Sequence, residues 1–529
     1  MAKKEIFLVL LVLFVALFFR LWQINNTPPG LFPDQAANGL DIVEYIFKGY
    51  FKVFFERGLG REGLFFYIQA LMIKLFGIGV FPMFLGSALV GLLTVAAGYF
   101  LTKVLFNKEV AFLASFFFAA SAWHTTCSRT GFRAIALPLF LTLFFLFSVF
   151  LLKEKPGAKR TLFAVLSGIC LGLGFYTYPS FRLVFLILGV LLGAALIKSR
   201  IFIKSRLKEF LIVLFAAFLV CLPLISYFWH HPQYFFERAK TVSVFNPDVN
   251  NGRLLPLLFE NVKKTGLMFF SKGDVNWRHN VSGFPMIDPL LFPFFLIGLA
   301  CSFYFGLRAL FSEKNFASNL RHLFLVSWFL IMLLPQILTA ESIPHGLRTL
   351  GILPPVFIFP ALLICLLKEK FPLFRKTALF LIVPILAFDF FWNAYLYFGI
   401  SRHSPDFYYA YRQDLTKVSE YIKKRNNKEK TYLVLDPYSV QTVQFLTYDK
   451  KNPYILIEPW DMGKIKTEPG TQVIFTQSTL FDQVDDKKGI VETKGKKRIK
   501  NFKASYPIFK IKKREYNKFG QEIMRVYGI

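Results

Sequence analysis

Long apolar runs alternate with short charged segments along most of this chain, and the spacing predicts a bundle of membrane-crossing helices. A helix needs about 20 predominantly apolar residues to cross ~30 Å of hydrocarbon. Runs of this kind lie near 6–24, 81–105, 109–123, 132–152, 161–177, 180–197, 209–229, 289–311, 322–339, 347–367 and 377–398. That makes about eleven spans, of which 109–123 and 161–177 are short. The first run follows Met-Ala-Lys-Lys and ends in Phe18-Phe19-Arg20-Leu21-Trp22 with no small-residue cleavage site, so it reads as a retained anchor.

Three stretches break this pattern. Residues 34–47 show helical periodicity, with Leu40, Val43, Ile46 and Phe47 on an apolar stripe and Asp34 placed to cap the helix after Pro33; such a helix is expected to lie flat on a membrane. Residues 63–77 are apolar but short, and read as a second interfacial helix. The segment 230–288, rich in aromatics, Asn, Gly and Pro, reads as a lid. From about residue 400 the apolar runs shorten to β-like pieces, Thr431 to Leu435, Tyr454 to Ile457 and Gln472 to Phe475, with helical periodicity over Arg412 to Arg425. A small α/β domain at 400–529 follows a membrane domain at 1–399, whose outer loops are 25–80 and 230–288.

Composition agrees with a polytopic α-helical membrane protein. The chain is 55% hydrophobic with 67 Phe among 529 residues, and its mean hydropathy is +0.47. The net charge of +30 does not point to nucleic acid, because the basic residues cluster in short loops between apolar runs. Lys153, Lys155, Lys159 and Arg160 form one group; Lys198, Arg200, Lys204, Arg206 and Lys208 another; Lys368, Lys370, Arg375 and Lys376 a third. The positive-inside rule makes that side cytoplasmic. The N-terminus is then inside, and the first loop, the 230–288 loop and the C-terminal domain are outside, at a cell (plasma) membrane. The five cysteines lie in or beside apolar runs and form no disulfide framework or zinc motif.

The polar residues expected at the outer face carry the candidate chemistry. Asp34, read either as a helix cap or as a base that takes a proton from an acceptor, is the first. Asp41 lies seven positions on, on nearly the same helix face. Arg61 and Glu62 precede the second interfacial helix, as an ion pair or as ligands for a lipid phosphate and a divalent cation. Arg129 and Arg133 flank a short turn on the side where positive charge is disfavoured, which phosphate recognition explains; snorkelling at the span flank is the alternative. Tyr176, Tyr178 and Arg182 form a similar turn. Asp274-Val275-Asn276-Trp277-Arg278-His279-Asn280 concentrates polar ligands in the long loop, with His279 a candidate for metal or sugar and Arg278 and Asn280 beside it. His345 and Arg348 lie at the outer end of the tenth run.

These residues resemble a known family. Pro33-Asp34-Gln35-Ala36-Ala37, Gly60-Arg61-Glu62 before Leu64-Phe65-Phe66-Tyr67, Ser128-Arg129-Thr130-Gly131-Phe132-Arg133-Ala134, Tyr176-Thr177-Tyr178-Pro179 with Arg182, Arg278-His279-Asn280 and Pro344-His345-Gly346-Leu347-Arg348 are similar to motifs of bacterial GT-C glycosyltransferases. The nearest resemblance is to the protein O-mannosyltransferases and lipid A aminoarabinose transferases, over about residues 5–400. The resemblance implies an inverting transferase that moves a monosaccharide from a polyprenyl-phosphate donor to a lipid, glycan or protein acceptor outside the cell. It implies Asp34 as the first member of an acidic pair whose second position, usually Glu, is Gln35 here; Gly63 stands where relatives often have Pro. Some relatives bind a divalent cation, for which Glu62 and His279 are the candidates in this chain. The alternatives from other classes are a lipid or sugar transporter or flippase, and a non-catalytic cell-envelope assembly protein.

Overall fold

The computed structural model describes residues 3–198, 206–311, 315–425, 429–480 and 493–529. Arg200 and Lys204 of the second basic loop lie outside the described residues. The chain divides into two compact units: one comprises 1–24, 51–68 and 84–401, the other 25–50, 69–83 and 402–529.

The first unit is the helical bundle. Helices occur at every expected apolar run, and seven of those described are long and apolar enough to cross a membrane: Val80–Leu105, Arg133–Lys153, Pro179–Ile197, Leu207–His230, Leu291–Phe311, Phe316–Ile337 and Phe380–His403. Lys108–Ala120 and Ala122–Ser128 make an eighth when taken as one span bent by 61°. Lys3–Leu21 carries three charges in its first turn and an arginine in its last, while Ala158–Gly174 and Pro355–Lys370 are only 17 and 16 residues long. The expected start of the tenth run at 347 is a 3-10 turn, Arg348–Ile352, and the helix begins at Pro355. Proline suits a first helical turn, where its missing N–H leaves no bond unmade. Within 230–288 the longer helices are Gln233–Val242 and Leu254–Leu267, and 268–288 runs in turns and bends.

Lipid is as apolar as a leucine side chain, so helices in a bilayer associate through close packing rather than through the hydrophobic effect. Gly168 and Gly172, four apart on Ala158–Gly174, show this packing against Leu207–His230. A Cβ on Gly168 would lie 2.5 Å from the Val213 carbonyl oxygen, and one on Gly172 2.6 Å from Val220. Gly168→Val is expected to force these helices apart at a cost of about 1–3 kcal/mol, read as a lower thermal midpoint in detergent; an unchanged midpoint would show the contact to be dispensable.

The second unit holds a five-stranded sheet of order β4-β3-β5-β7-β6. Strands β3 (Thr431–Val434), β4 (Ile455–Ile457) and β5 (Gln472–Thr476) are parallel neighbours, and β7 (Glu522–Gly528) pairs antiparallel with β5 and with β6 (Lys510–Tyr516). The two-residue alternation of a strand sends Tyr432, Val434, Val473 and Phe475 into one core and Leu433, Ile474, Met524 and Val526 into another. The second core is closed by Leu415, Val418 and Ile422 of Gln413–Lys424.

The same unit contains Pro33–Glu44, and here two expectations are corrected. Its cap residue is Phe32, not Asp34; Pro33 opens the helix and the Gln35 side-chain oxygen accepts the Phe32 N–H at 2.9 Å. Nor does the helix lie flat on a membrane, because protein covers it. Every residue from Gln35 to Val43 is buried, and a Cβ on Gly39 would lie 2.4 Å from the Phe445 ring of Val440–Leu446.

Candidate functional site

The sequence-derived candidates fall in both units. Asp34 and Asp41 belong to the second; the arginines, tyrosines and histidines belong to the first.

Asp34 occupies the first turn of Pro33–Glu44 and is exposed, whereas Asp41 is buried at 2% exposure. A carboxylate in a first turn is favoured by the orphan N–H groups there. Tyr438 Oη donates to Asp34 Oδ1 at 2.8 Å, across 404 positions of sequence. Leu31 N donates to Thr416 Oγ1 at 3.1 Å, and Thr442 Oγ1 donates to the Leu31 carbonyl at 3.1 Å. These bonds fasten the strand of chain leading into the helix.

In the first unit, β1 (Phe54–Phe55) and β2 (Arg61–Glu62) pair as a short antiparallel ladder. The ladder places Glu62 at 3% exposure against Arg133, whose Nε lies 3.0 Å from Glu62 Oε2. The Arg133 guanidinium stands 5.4 Å over the Tyr178 ring. Arg61 is directed elsewhere, its Nε donating to the Arg57 carbonyl at 3.0 Å and its guanidinium lying 5.3 Å from the Phe66 ring centre. Tyr176 donates its hydroxyl to the Val220 carbonyl at 2.8 Å. Arg182 donates to the Phe235 carbonyl at 3.0 Å and stacks 4.0 Å over that residue's ring.

Arg129 is fully buried. It donates to the Phe19 and Trp22 carbonyls at 2.9 and 2.8 Å, satisfying oxygens at the end of Lys3–Leu21 that have no partner within the helix, and it faces the Tyr397 and Phe398 rings at 5.3 and 5.5 Å. Arg20, also fully buried, donates to the Ala119 carbonyl at 2.9 Å and contacts His124 Nδ1 at 2.6 Å. This Arg20–His124 contact was not foreseen, since nothing in the local pattern links residues 104 positions apart.

A third group gathers where the 271–288 turns meet the 341–349 segment. Asp274 Oδ2 accepts from Gly346 N at 2.7 Å and lies 2.9 Å from His279 Nδ1. The His279 and His345 rings stack at 4.3 Å. One ligand atom from each of Asp274, His279 and His345 lies within 4.8 Å of the others, the only such group among the described residues. Glu62 is not in it. Burial lowers the affinity of His279 for a proton, and the Asp274 carboxylate offsets this in part. Arg278 Nε bonds Asn276 Oδ1 at 3.1 Å, Asn280 Nδ2 bonds the Phe284 carbonyl at 2.7 Å, and Arg348 Nη2 pairs with Glu341 at 2.9 Å. Trp123 Nε1 donates to the Gly346 carbonyl at 3.0 Å, and the Phe132 ring meets His279 at 6.0 Å. The Phe132-Arg133 dipeptide thereby links the histidine group to the Glu62 pair. Tyr438 was not among the candidates taken from sequence. An aspartate five positions before a histidine was a visible signal, but no local pattern marks Tyr438.

The model of the dolichyl-phosphate-mannose-protein mannosyltransferase family matches residues 64–227. No curated protein matches. Among solved structures, ArnT from Cupriavidus metallidurans bound to undecaprenyl phosphate aligns over 99% of this chain and 97% of its own, with TM-score 0.54 and 11% identity. Its apo state covers the same shares with TM-score 0.51 and 12% identity. The archaeal oligosaccharyltransferase AglB from Archaeoglobus fulgidus, in complex with an inhibitory peptide and a dolichol-phosphate, aligns over 90% of this chain and 70% of its own, with TM-score 0.52 and 13% identity. The chain is a multi-pass membrane protein with the GT-C fold, similar to the protein mannosyltransferases and to ArnT.

Proposed function

We propose that this protein is a membrane glycosyltransferase that moves a monosaccharide from a polyprenyl-phosphate donor to an acceptor outside the cytoplasm, with inversion. The observation that carries the reading is Asp34: an exposed carboxylate at the head of an otherwise buried helix, on a GT-C fold, at the position where the family resemblance calls for a base. In the reaction the acceptor's oxygen or nitrogen bonds to the anomeric carbon while Asp34 takes its proton. The bond from that carbon to the phosphate oxygen breaks, and the polyprenyl phosphate departs with the electron pair. A base on the face opposite the leaving group gives inversion, by the geometry that governs inverting glycosidases. The leaving phosphate gains negative charge, which fixed cations stabilise. By the family resemblance alone, Arg133, Arg182, Arg278 and Arg348 are the candidate cations, and Tyr178 and Asn280 are candidate substrate contacts. Arg129 holds the end of the first helix in this reading.

Asp274, His279 and His345 fit a divalent cation by donor type and by proximity. A buried histidine that stays neutral near pH 7 is the form that ligates metal. A cation there would neutralise phosphate charge. Full-length protein in detergent, dialysed against Zn²⁺ or Mn²⁺, is expected to retain about one equivalent by elemental analysis, and the His279→Ala/His345→Ala variant none; equal content in both would remove the site.

In this reading the basic loops and the N-terminus lie on the cytoplasmic side, as the positive-inside rule favours, and the second unit lies outside. The proposal is tested by incubating nanodisc-embedded protein with undecaprenyl-phosphate sugars carrying labelled mannose, glucose or aminoarabinose, and envelope membranes from a deletion strain as acceptor. Label is expected in an acceptor, with release of undecaprenyl phosphate; no transfer from any donor would refute the reading.

A further inference from the structure

We infer that Tyr438, contributed by the C-terminal segment, is the positioning residue for Asp34, so that this segment completes the base instead of serving as an appendage. The inference rests on the proposed role of Asp34. An exposed carboxylate on a first helical turn has two rotatable bonds and no fixed direction. The Tyr438 hydroxyl bonds one oxygen, Oδ1, at 2.8 Å, which leaves Oδ2 to receive the acceptor's proton along a defined line.

A tyrosine directs a partner only if it is itself held. Tyr438 is 47% exposed, yet its backbone sits in a turn closed from several sides. Asp436 Oδ1 accepts from Tyr438 N at 3.1 Å and from Ser439 N at 2.8 Å. Arg412 Nη1 donates to Ser439 Oγ at 2.8 Å while its other nitrogens grip both oxygens of the buried Asp414 at 2.9 Å. The Tyr438 ring meets Phe32, the cap residue of the Asp34 helix, edge-on at 6.1 Å. Two further bonds, Thr416 to Leu31 and Thr442 to Leu31, tie the helix entry to the same segment. Hydroxyl and carboxylate are thus registered by backbone fastened on each side, the arrangement a preorganised base requires. Core packing alone calls for no hydroxyl on a half-exposed ring.

The test is Tyr438→Phe, which keeps the ring and removes the hydroxyl, in the donor assay described above. The expected result is a fall in kcat of about tenfold to a hundredfold, the effect of a misaligned reacting group, with the donor KM and the thermal midpoint unchanged. Incorporation of 3-fluorotyrosine at 438, which restores the hydroxyl, is expected to recover the rate. A purely structural role would instead lower the midpoint and the yield of folded protein without this kcat-specific loss. Wild-type kcat in Tyr438→Phe, with Asp34→Asn inactive, would overturn this inference and leave the glycosyltransferase reading standing. Inactive wild-type protein with every donor would overturn both.

Discussion

Asp34→Asn is expected to lower sugar transfer by about 10²–10⁴-fold, the usual contribution of a positioned general base, while the protein accumulates normally. The substitution is close to isosteric. The Asn side-chain oxygen still accepts the Tyr438 hydroxyl, and the exposed position imposes no packing demand. The structural penalty is confined to the lost attraction between a carboxylate and a helix N-terminus, about 0.3–1 kcal/mol. An amide has no basicity for taking an acceptor proton, so the loss belongs in kcat. Gln35 sharpens the expectation: the next position holds an amide whose oxygen already accepts the Phe32 N–H, so it offers no second base. Transfer at the wild-type rate in Asp34→Asn, in the same nanodisc assay, would sink the assignment.

The second large effect is on stability. Glu62 is 3% exposed and its Oε2 lies 3.0 Å from Arg133 Nε. Arg133→Met removes the partner and strands a carboxylate in a low-dielectric interior, at a cost of about 3–5 kcal/mol. The variant is expected to melt well below wild type in detergent and to lose transfer. Arg133→Lys keeps a charge and is expected to retain more of the midpoint, while losing the guanidinium plane that lies over Tyr178. Glu62→Gln/Arg133→Met removes both charges and is expected to regain part of the loss, since the pair's attraction and its desolvation largely cancel. A midpoint in Arg133→Met equal to wild type would show that water reaches the pair and that it has no structural role.

How much of this was legible before the structure differs by element. The apolar runs forecast where helices occur, within a residue for 81–105 against Val80–Leu105 but eight residues early for 347–367 against Pro355–Lys370, because a span is set by local composition and bilayer thickness. Three strands of the C-terminal sheet were visible as apolar β-like runs. Strands β6 and β7 were not: β6 reads Lys-Ile-Lys-Lys-Arg-Glu-Tyr and is exposed along nearly its whole length, so an edge strand protected by lysines shows little alternation. For Pro33–Glu44 the periodicity was right and the environment wrong. An apolar stripe with charges opposite looks the same whether it meets lipid or a protein surface, and only the packing of Phe445 on Gly39 distinguishes them.

What the sequence determined by itself is therefore what local chemistry dictates: a multi-pass helical chain, three β-like runs after residue 400, and a set of outlying acidic, basic and histidine residues that resemble a GT-C transferase. The tertiary structure decided which of those residues meet. It paired Glu62 with Arg133 across 71 positions, brought Asp274 and His279 to His345, turned Arg129 onto the carbonyls of the first helix, and set the Tyr438 hydroxyl on Asp34. Each is a contact between distant segments. Its partner is chosen by how whole elements pack and which buried polar groups are left needing a bond, and no window of local sequence carries that information.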